Sequence, residues 1–381
     1  MDNVKLLMQI LKSGITGEFK INLPELSIDT LNWLYNISNK HDLAHLVGYV
    51  LQKNDLLDTK TEIGEKFNKQ MMLAVYRTTK LEYDYSQVRQ MFEDAQIPYI
   101  PLKGSVIRSL YPEKWLRTSC DIDILVQEKN LKTACSILEN QGYNKEEKEF
   151  NCIPYVTNGG MHLELHYNLN ELDSKLDRVL NRVWDYASVN DEHMYSLSNE
   201  FFIFHAVAHI VCHFKNGGCG IRTILDLWHI LNRYEYDENI LNSLLNEAGI
   251  LTFFQKIVKL TKVWFEGEET DGLTTQLQNY ILTGGVYGTT GNKVGVSVAR
   301  KKTGGKHIFS RLFPPYSVMV SLYSNLKKHP ILLPFYWIRR IFKLLNKDKK
   351  QRALYEVQVA RNVSKEHVEQ MQIMLDELGL N

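Results

Sequence analysis

The stretch Asp121-Ile122-Asp123-Ile124-Leu125-Val126 restricts the fold more than any other. Charged and apolar residues alternate with a period of two, isoleucine favours extended backbone, and neither glycine nor proline interrupts. It reads as a strand with Ile122, Ile124 and Val126 toward a core and both aspartates on the opposite face. A strand needs partners, and its neighbours supply them. Residues 97–102 are short, apolar and proline-bearing, which predicts a strand near a sheet edge. Residues 151–156 and 161–169 predict two strands joined by the hairpin signal Asn158-Gly159-Gly160. Residues 128–140 predict an amphipathic helix with Leu131, Ala134, Cys135 and Leu138 inward, closed by Gly142.

On either side the apolar period changes to that of a helix. Leu6, Leu7, Ile10 and Leu11 share one face, as do Leu43, Leu46, Val47 and Val50. From about residue 172 the chain reads as helix again: 201–214, a break at Gly217-Gly218-Cys219-Gly220, 221–231, then 241–264. Residues 284–305 are glycine-rich and basic, with Lys293, Arg300, Lys301 and Lys302, and predict a loop that either closes as a lid or stays disordered. The expected class is α+β: a small mixed β-sheet core at 96–170, flanked by helical regions at 1–95 and 171–283, with the basic loop and C-terminal helices at 284–381.

Several functions are disfavoured by composition. With 45 basic against 44 acidic residues there is no overall field to attract nucleic acid. Five cysteines, an odd number with no CxxC pair, argue against a disulfide framework and against a cysteine zinc site, and fit a reducing cytoplasm. No stretch approaches the roughly 18 uncharged apolar residues of a membrane-spanning helix, and residues 1–12 do not read as a signal peptide. The aromatic and basic tail at 335–354 has two readings, contact with an anionic membrane surface or a helix packed on the domain with snorkelling basic ends. The second is the expectation.

The carboxylates carry the chemistry. Asp121 and Asp123, two residues apart on a strand, project together about 6.6 Å apart along it. Like charges that close call for a cation between them, and hard oxygen ligands suit Mg2+ or Mn2+. Glu164, in His162-Leu163-Glu164-Leu165-His166, supplies a third carboxylate if its strand lies beside the Asp strand. Three such groups can hold two metals that activate an attacking oxygen and stabilise a leaving pyrophosphate. The bland alternative is a solvated strand face. Lys103-Gly104-Ser105 lies between a strand and a short helix at 106–110, where glycine lets backbone N–H groups approach phosphate. Arg117 can clamp phosphate, pair with a carboxylate, or sit passively at the surface. His205, His209 and His213 recur every four residues and either line a cleft, bind metal or pack. His166 can support Glu164, and Asp226 can orient an acceptor or pair with an arginine such as Arg222.

Together these motifs resemble the DNA polymerase beta-like nucleotidyltransferase superfamily, whose signature is a Gly-Ser loop, an Asp-x-Asp strand and a later carboxylate. They are similar in more detail to a bacterial family of uncharacterised nucleotidyltransferases often found beside polysaccharide or modified-peptide biosynthesis genes. The shared elements are Lys103-Gly104, Arg117, residues 121–126, Gly142-Tyr143, Glu164-Leu165-His166, and a histidine-bearing helix followed by Arg222 and Asp226. Phe313-Pro314-Pro315 and Leu333-Pro334 before Arg339-Arg340 are weaker matches. The gap from Gly104 to Asp121 is longer than the superfamily norm. The resemblance implies transfer of a nucleoside monophosphate, or a related phosphoryl group, from a nucleoside triphosphate to a sugar, small-molecule, peptide or protein acceptor. Asp121, Asp123 and Glu164 would be catalytic metal ligands, and Lys103, Gly104, Ser105 and Arg117 would bind nucleotide. His166, His209 and Asp226 would contact the acceptor or the cleft, formed with the helical region at 171–283. The rival readings keep the fold without turnover: a nucleotide-binding regulator, or an antitoxin-like partner protein.

Overall fold

A computed structural model describes residues 2–286, 288, 291–293, 295–296, 313–323, 325–343 and 364–380. Most of the glycine-rich loop, Arg300, Lys301 and Lys302 included, and residues 344–354 of the tail lie outside the described residues. The chain forms two compact units, residues 1–208 with 221–270, and residues 209–220 with 271–381. The span 96–170 lies wholly inside the first, together with the helices before and after it.

The first unit begins with α1 (Asn3–Thr16), α2 (Ile28–Lys40), α3 (Ala44–Lys53) and α4 (Glu62–Asp94). Local chemistry sets their ends. Asp2, Ser27 and Thr61 accept the first free N–H groups of α1, α2 and α4, and Gly17 takes the left-handed conformation that closes α1. Leu6, Leu7, Ile10 and Leu11 are buried, as the helical period predicts, with Leu46, Val47 and Val50 of α3. α1 and α3 cross closely at Gly14, where a Cβ would meet the Leu46 side chain at 2.4 Å.

A seven-stranded mixed sheet follows, in the order β3-β4-β5-β2-β1-β7-β6. The strands are β1 (Tyr99–Pro101), β2 (Asp121–Val126), β3 (Asn144–Lys145), β4 (Cys152–Val156), β5 (His162–His166), β6 (Ala187–Asp191) and β7 (Met194–Leu197). One face carries Ile122, Ile124 and Val126 with Leu163, Leu165, Ile153 and Tyr155. It packs under Leu81, Val88 and Phe92 of α4 and Ala134, Cys135 and Leu138 of α6 (Leu131–Asn140). Burying that face leaves the opposite one, with both aspartates, for chemistry.

Two expectations need correction. The prolines of 97–102 suggest an edge strand, yet β1 is interior, between β2 and β7. Pro98 precedes the strand and Pro101 ends it, so neither removes a mid-strand hydrogen bond, and β1 pairs with β7 only at Tyr99 and Met194. The chain returns to helix after residue 172 as expected, but the return is interrupted. The short helix α7 (Ser174–Leu180) leads into the hairpin β6–β7, which widens the sheet before α8 (Asn199–Lys215). Its turn uses Glu192 at φ +41° instead of glycine, so it shows no turn signal.

α9 (Ile221–Arg233), α10 (Glu238–Glu247) and α11 (Leu251–Phe265) complete the first unit. The long connection between Gly104 and Asp121 is folded, with 3₁₀ turns at Arg108–Leu110 and Lys114–Leu116. A buried imidazole pins each turn: His229 Nε2 lies 2.9 Å from the Leu110 carbonyl and His45 Nε2 lies 3.0 Å from that of Leu116. Burial holds both histidines below the ordinary imidazole pKa. The unfolded chain therefore takes up these protons at higher pH than the fold does. Their contribution is complete above pH ~6.5 and is lost as pH falls through the lower folded values. The unfolding free energy of the wild type, from urea curves, should fall from pH 7.5 to pH 5 by about 1 kcal/mol more than that of His45→Gln. Parallel curves would contradict this.

In the second unit, α12 (Gly272–Gly284) starts in a capping box between Asp271 and Thr274. Gln276 donates to the Gln370 carbonyl on the helix Lys365–Glu377 at 3.1 Å. Met319, Leu326 and Tyr336 form a separate small core with Trp337, whose indole donates to the Pro314 carbonyl at 2.9 Å. Phe335 and Ile338, on the helix Leu333–Lys343 that also carries Tyr336 and Trp337, are exposed. No helix among the described residues is long and apolar enough to cross a membrane.

Candidate active site

β2 and β5 run parallel and pair Asp121 with His162, Asp123 with Glu164, and Leu125 with His166. Paired residues of neighbouring strands share a face, and so do residues i and i+2. Asp121, Asp123, Glu164 and His166 therefore rise from one face, with no strand between the two acidic strands. β4 adds Cys152, which pairs directly with His166.

The carboxylates differ in their surroundings. Asp123 is buried, and its Oδ1 accepts from Lys103 Nζ at 2.9 Å and lies 3.1 Å from His166 Nε2. Burial opposes its ionisation, but Lys103 and His166 outweigh that and hold its carboxyl far below the usual range. Asp121 has the opposite balance. Burial and the charges of Asp123 and Glu164 raise its pKa against the pull of Lys103. Glu164 Oε2 lies 3.2 Å from His166 Nε2, and its side chain is 34% exposed against 2% for Asp123. Burial works against the His166 imidazolium, yet its contacts with Asp123 and Glu164 raise its pKa.

Lys103 reaches this cluster from a strained position. Its φ is +43° with ψ −117°, a region costly for any residue with a Cβ, by about 1–3 kcal/mol. Glycine would adopt it freely, so the side chain is what the position gains. Burial disfavours the Lys103 ammonium, but Asp123, Glu164 and Asp121 reverse this and raise its pKa. The helix after Lys103 is Gly104–Ile107, only four residues, with the 3₁₀ turn Arg108–Leu110 behind it. Such a helix has little macrodipole to offer an anion, and the Ser105 N–H already closes a turn on the Leu102 carbonyl at 3.1 Å. Ser105 Oγ is buried without a hydrogen-bond partner. Gly104 is needed for packing: a Cβ there would lie 3.0 Å from Ser119 Oγ.

Arg117 and Asp226, expected at phosphate and acceptor, face each other. Arg117 Nη2 and Nε reach Asp226 Oδ2 at 2.8 and 3.0 Å, Nη1 donates to the Thr118 carbonyl at 2.7 Å, and Tyr111 donates to Asp226 Oδ1 at 2.7 Å. Both side chains are about nine-tenths buried. Arg222, the partner suggested for Asp226, instead pairs with Asp42, which also accepts from Thr118. His205 is buried in the first unit. His209 belongs to the second, where its Nε2 lies 2.9 Å from that of His213.

The sequence reading overlooked Cys152 and Asp42. A hairpin centred on Gly159 places residue 152 opposite residue 166, so Cys152 was within reach of register arithmetic. Nothing local marks Asp42.

Residues 29–266, from α2 through α11 and including all seven strands, match the model of a family described as "Uncharacterised nucleotidyltransferase". No curated protein and no solved structure matches the chain. The matched span exceeds half of the sequence, and the chain belongs to this nucleotidyltransferase family.

Proposed function

We propose that this protein transfers a nucleoside monophosphate from a nucleoside triphosphate to an acceptor hydroxyl in a reaction that depends on a divalent cation. The reading rests on one observation, the register pair Asp123–Glu164 with Asp121 on the same face. Three oxygen donors in which one aspartate's pKa is raised by burial and by its neighbours' charge form a set that a hard cation would relieve, so the residues fit Mg2+ or Mn2+. Asp121, Asp123 and Glu164 would hold it. When bound, the ion supplies Lewis-acid polarisation of the phosphates and activation of the attacking oxygen.

The chain's own groups divide the remaining work. The acceptor oxygen forms a bond to the α-phosphorus while the bond to the bridging oxygen breaks and pyrophosphate leaves. Glu164, with its side chain 34% exposed against 2% for Asp123, takes the acceptor's proton. Asp123 is committed to Lys103 and His166. His166 keeps both carboxylates oriented. The Lys103 ammonium, on a side chain 26% exposed, reaches the triphosphate, where charge spreads in the transition state. Arg117 spends three of its five N–H groups on Asp226 and the Thr118 carbonyl, so we assign it to holding the segment before β2 rather than to the nucleotide.

Incubation with each labelled triphosphate, Mg2+ and cell extract tests this. Wild type should yield labelled product and pyrophosphate, and Asp121→Asn should yield neither. Equal signals from both proteins would remove the proposal, and a stable protein complex without nucleotide consumption would favour a binding role.

A further inference from the structure

The absence of any CxxC pair spoke against a cysteine zinc site, but the fold assembles metal-binding chemistry from residues that are not close in a sequence motif. Cys152 pairs with His166 across the β4–β5 ladder, and Glu164 precedes His166 by two residues on the same face. One ligand atom of each lies within 4.8 Å of the others. A tetrahedral cation with bonds of 2.0–2.3 Å holds its donors roughly 3.3–3.8 Å apart, so a movement of about 1 Å would close the set.

We propose that Cys152, Glu164 and His166 form a binding site for a borderline transition cation of the Zn2+ class. It adjoins the hard oxygen site of Asp121 and Asp123 and shares Glu164 with it. The inference deepens the proposed function by giving the cluster a soft half as well as a hard one. Sulfur and imidazole donors select Zn2+, Co2+ or Fe2+ over Mg2+.

Two observations support it. His166 is not satisfied by protein alone. Nε2 faces Asp123 and Glu164, but Nδ1 is buried with no hydrogen-bond partner, an uncommon state for a buried polar atom. A cation on one ring nitrogen leaves the other to the carboxylates, the arrangement that orients most metal-bound histidines. Cys152 is 1% exposed and pairs directly with His166 across the β4–β5 ladder, which sets its sulfur beside the imidazole and Glu164. On binding, the sulfur–metal bond forms, the sulfur–hydrogen bond breaks and the proton goes to solvent. A buried cysteine on a strand is more often a small hydrophobe, but this one faces an imidazole and a carboxylate. The other His/Cys/acidic group that the described residues bring together, Glu93, Glu192 and His193, lacks sulfur, and Glu192 is exposed.

Co2+ is a spectroscopic stand-in for Zn2+. Full-length protein carrying Cys120→Ser, to remove the exposed thiol, would be titrated with Co2+ in excess Mg2+ and followed by near-ultraviolet thiolate-to-cobalt charge transfer. The expected result is a band that saturates at one Co2+ per chain, that Zn2+ erases, and that a 100-fold excess of Mg2+ leaves in place. Adding Cys152→Ser should abolish it, and Cys152→Ala provides a second variant should the serine disturb folding. Thermal unfolding without metal should show that the variant tested folds. No band, or a band that survives loss of Cys152, overturns the proposal. Co2+ bound without a thiolate band also overturns it while leaving the hard carboxylate site standing, which Asp121→Asn tests separately.

Discussion

Asp121→Asn is expected to abolish transfer and to raise thermal stability, whereas Asp123→Asn should lose both activity and stability. The two residues are neighbours on one strand face, yet the fold treats their charges oppositely. Burial, Asp123 and Glu164 all disfavour the Asp121 carboxylate, so at neutral pH its ionised form works against the folded state. Asparagine keeps the volume and removes the repulsion. The gain should be about 1 kcal/mol, or roughly 2–4 °C for a unit of this size, a trade of stability against activity common at catalytic sites. Asp123 holds Lys103 at 2.9 Å and His166 at 3.1 Å. Neutralising it strands the Lys103 ammonium, whose side chain is only 26% exposed, and breaking such a pair costs roughly 3–5 kcal/mol. Because the folded pKa of Asp123 is depressed, its contribution is present above the unfolded carboxyl value and is lost as pH falls through the folded one. Pyrophosphate release should drop by about 10³-fold or more in either variant, equivalent to about 4 kcal/mol of transition-state stabilisation. Asp121→Asn with activity within tenfold of wild type would sink the metal-ligand assignment. Equal melting shifts in the two variants would sink the charge assignment.

The second large effect is expected far from any phosphate. Arg117→Ala or Asp226→Ala should lower stability by roughly 3–5 kcal/mol, because each leaves the other's charge buried and alone. That corresponds to a fall of roughly 6–20 °C in melting temperature. Arg117→Lys should not rescue it. Three guanidinium contacts, two to Asp226 and one to the Thr118 carbonyl, use the planar fork of arginine, which an ammonium cannot reproduce. The double variant Arg117→Met, Asp226→Leu should lose less than either single change, since it removes both charges together. Scanning calorimetry on the four proteins checks this. If Arg117→Lys melts with the wild type and raises KM for the triphosphate, Arg117 belongs at the nucleotide after all.

How much of this was legible in the sequence follows from the range of each interaction. The period of two in residues 121–126 predicts a strand, a buried apolar face and a shared face for Asp121 and Asp123, because side-chain direction along a strand is local geometry. The Asn158-Gly159-Gly160 turn predicts β4 and β5 for the same reason, and with them the face of Glu164 and His166. Helices α1, α3, α6 and α9 were readable from their apolar period. The hairpin β6–β7 was not, since Ala187-Ser188-Val189-Asn190-Asp191 is largely exposed and its turn lacks glycine.

By itself, then, the sequence determined which side chains share a face and which chemistry they can offer. Tertiary structure alone decided that β5 lies parallel to β2 at the register joining Asp123 to Glu164. It also decided that Lys103 rests on Asp123, that Arg117 faces Asp226 across 109 residues of chain, and that β1 sits inside the sheet. The physical reason is that a strand's period specifies directions but not neighbours. Neighbours are chosen when distant segments bury their apolar faces together, and every buried charge must then find the partner that this packing brings to it.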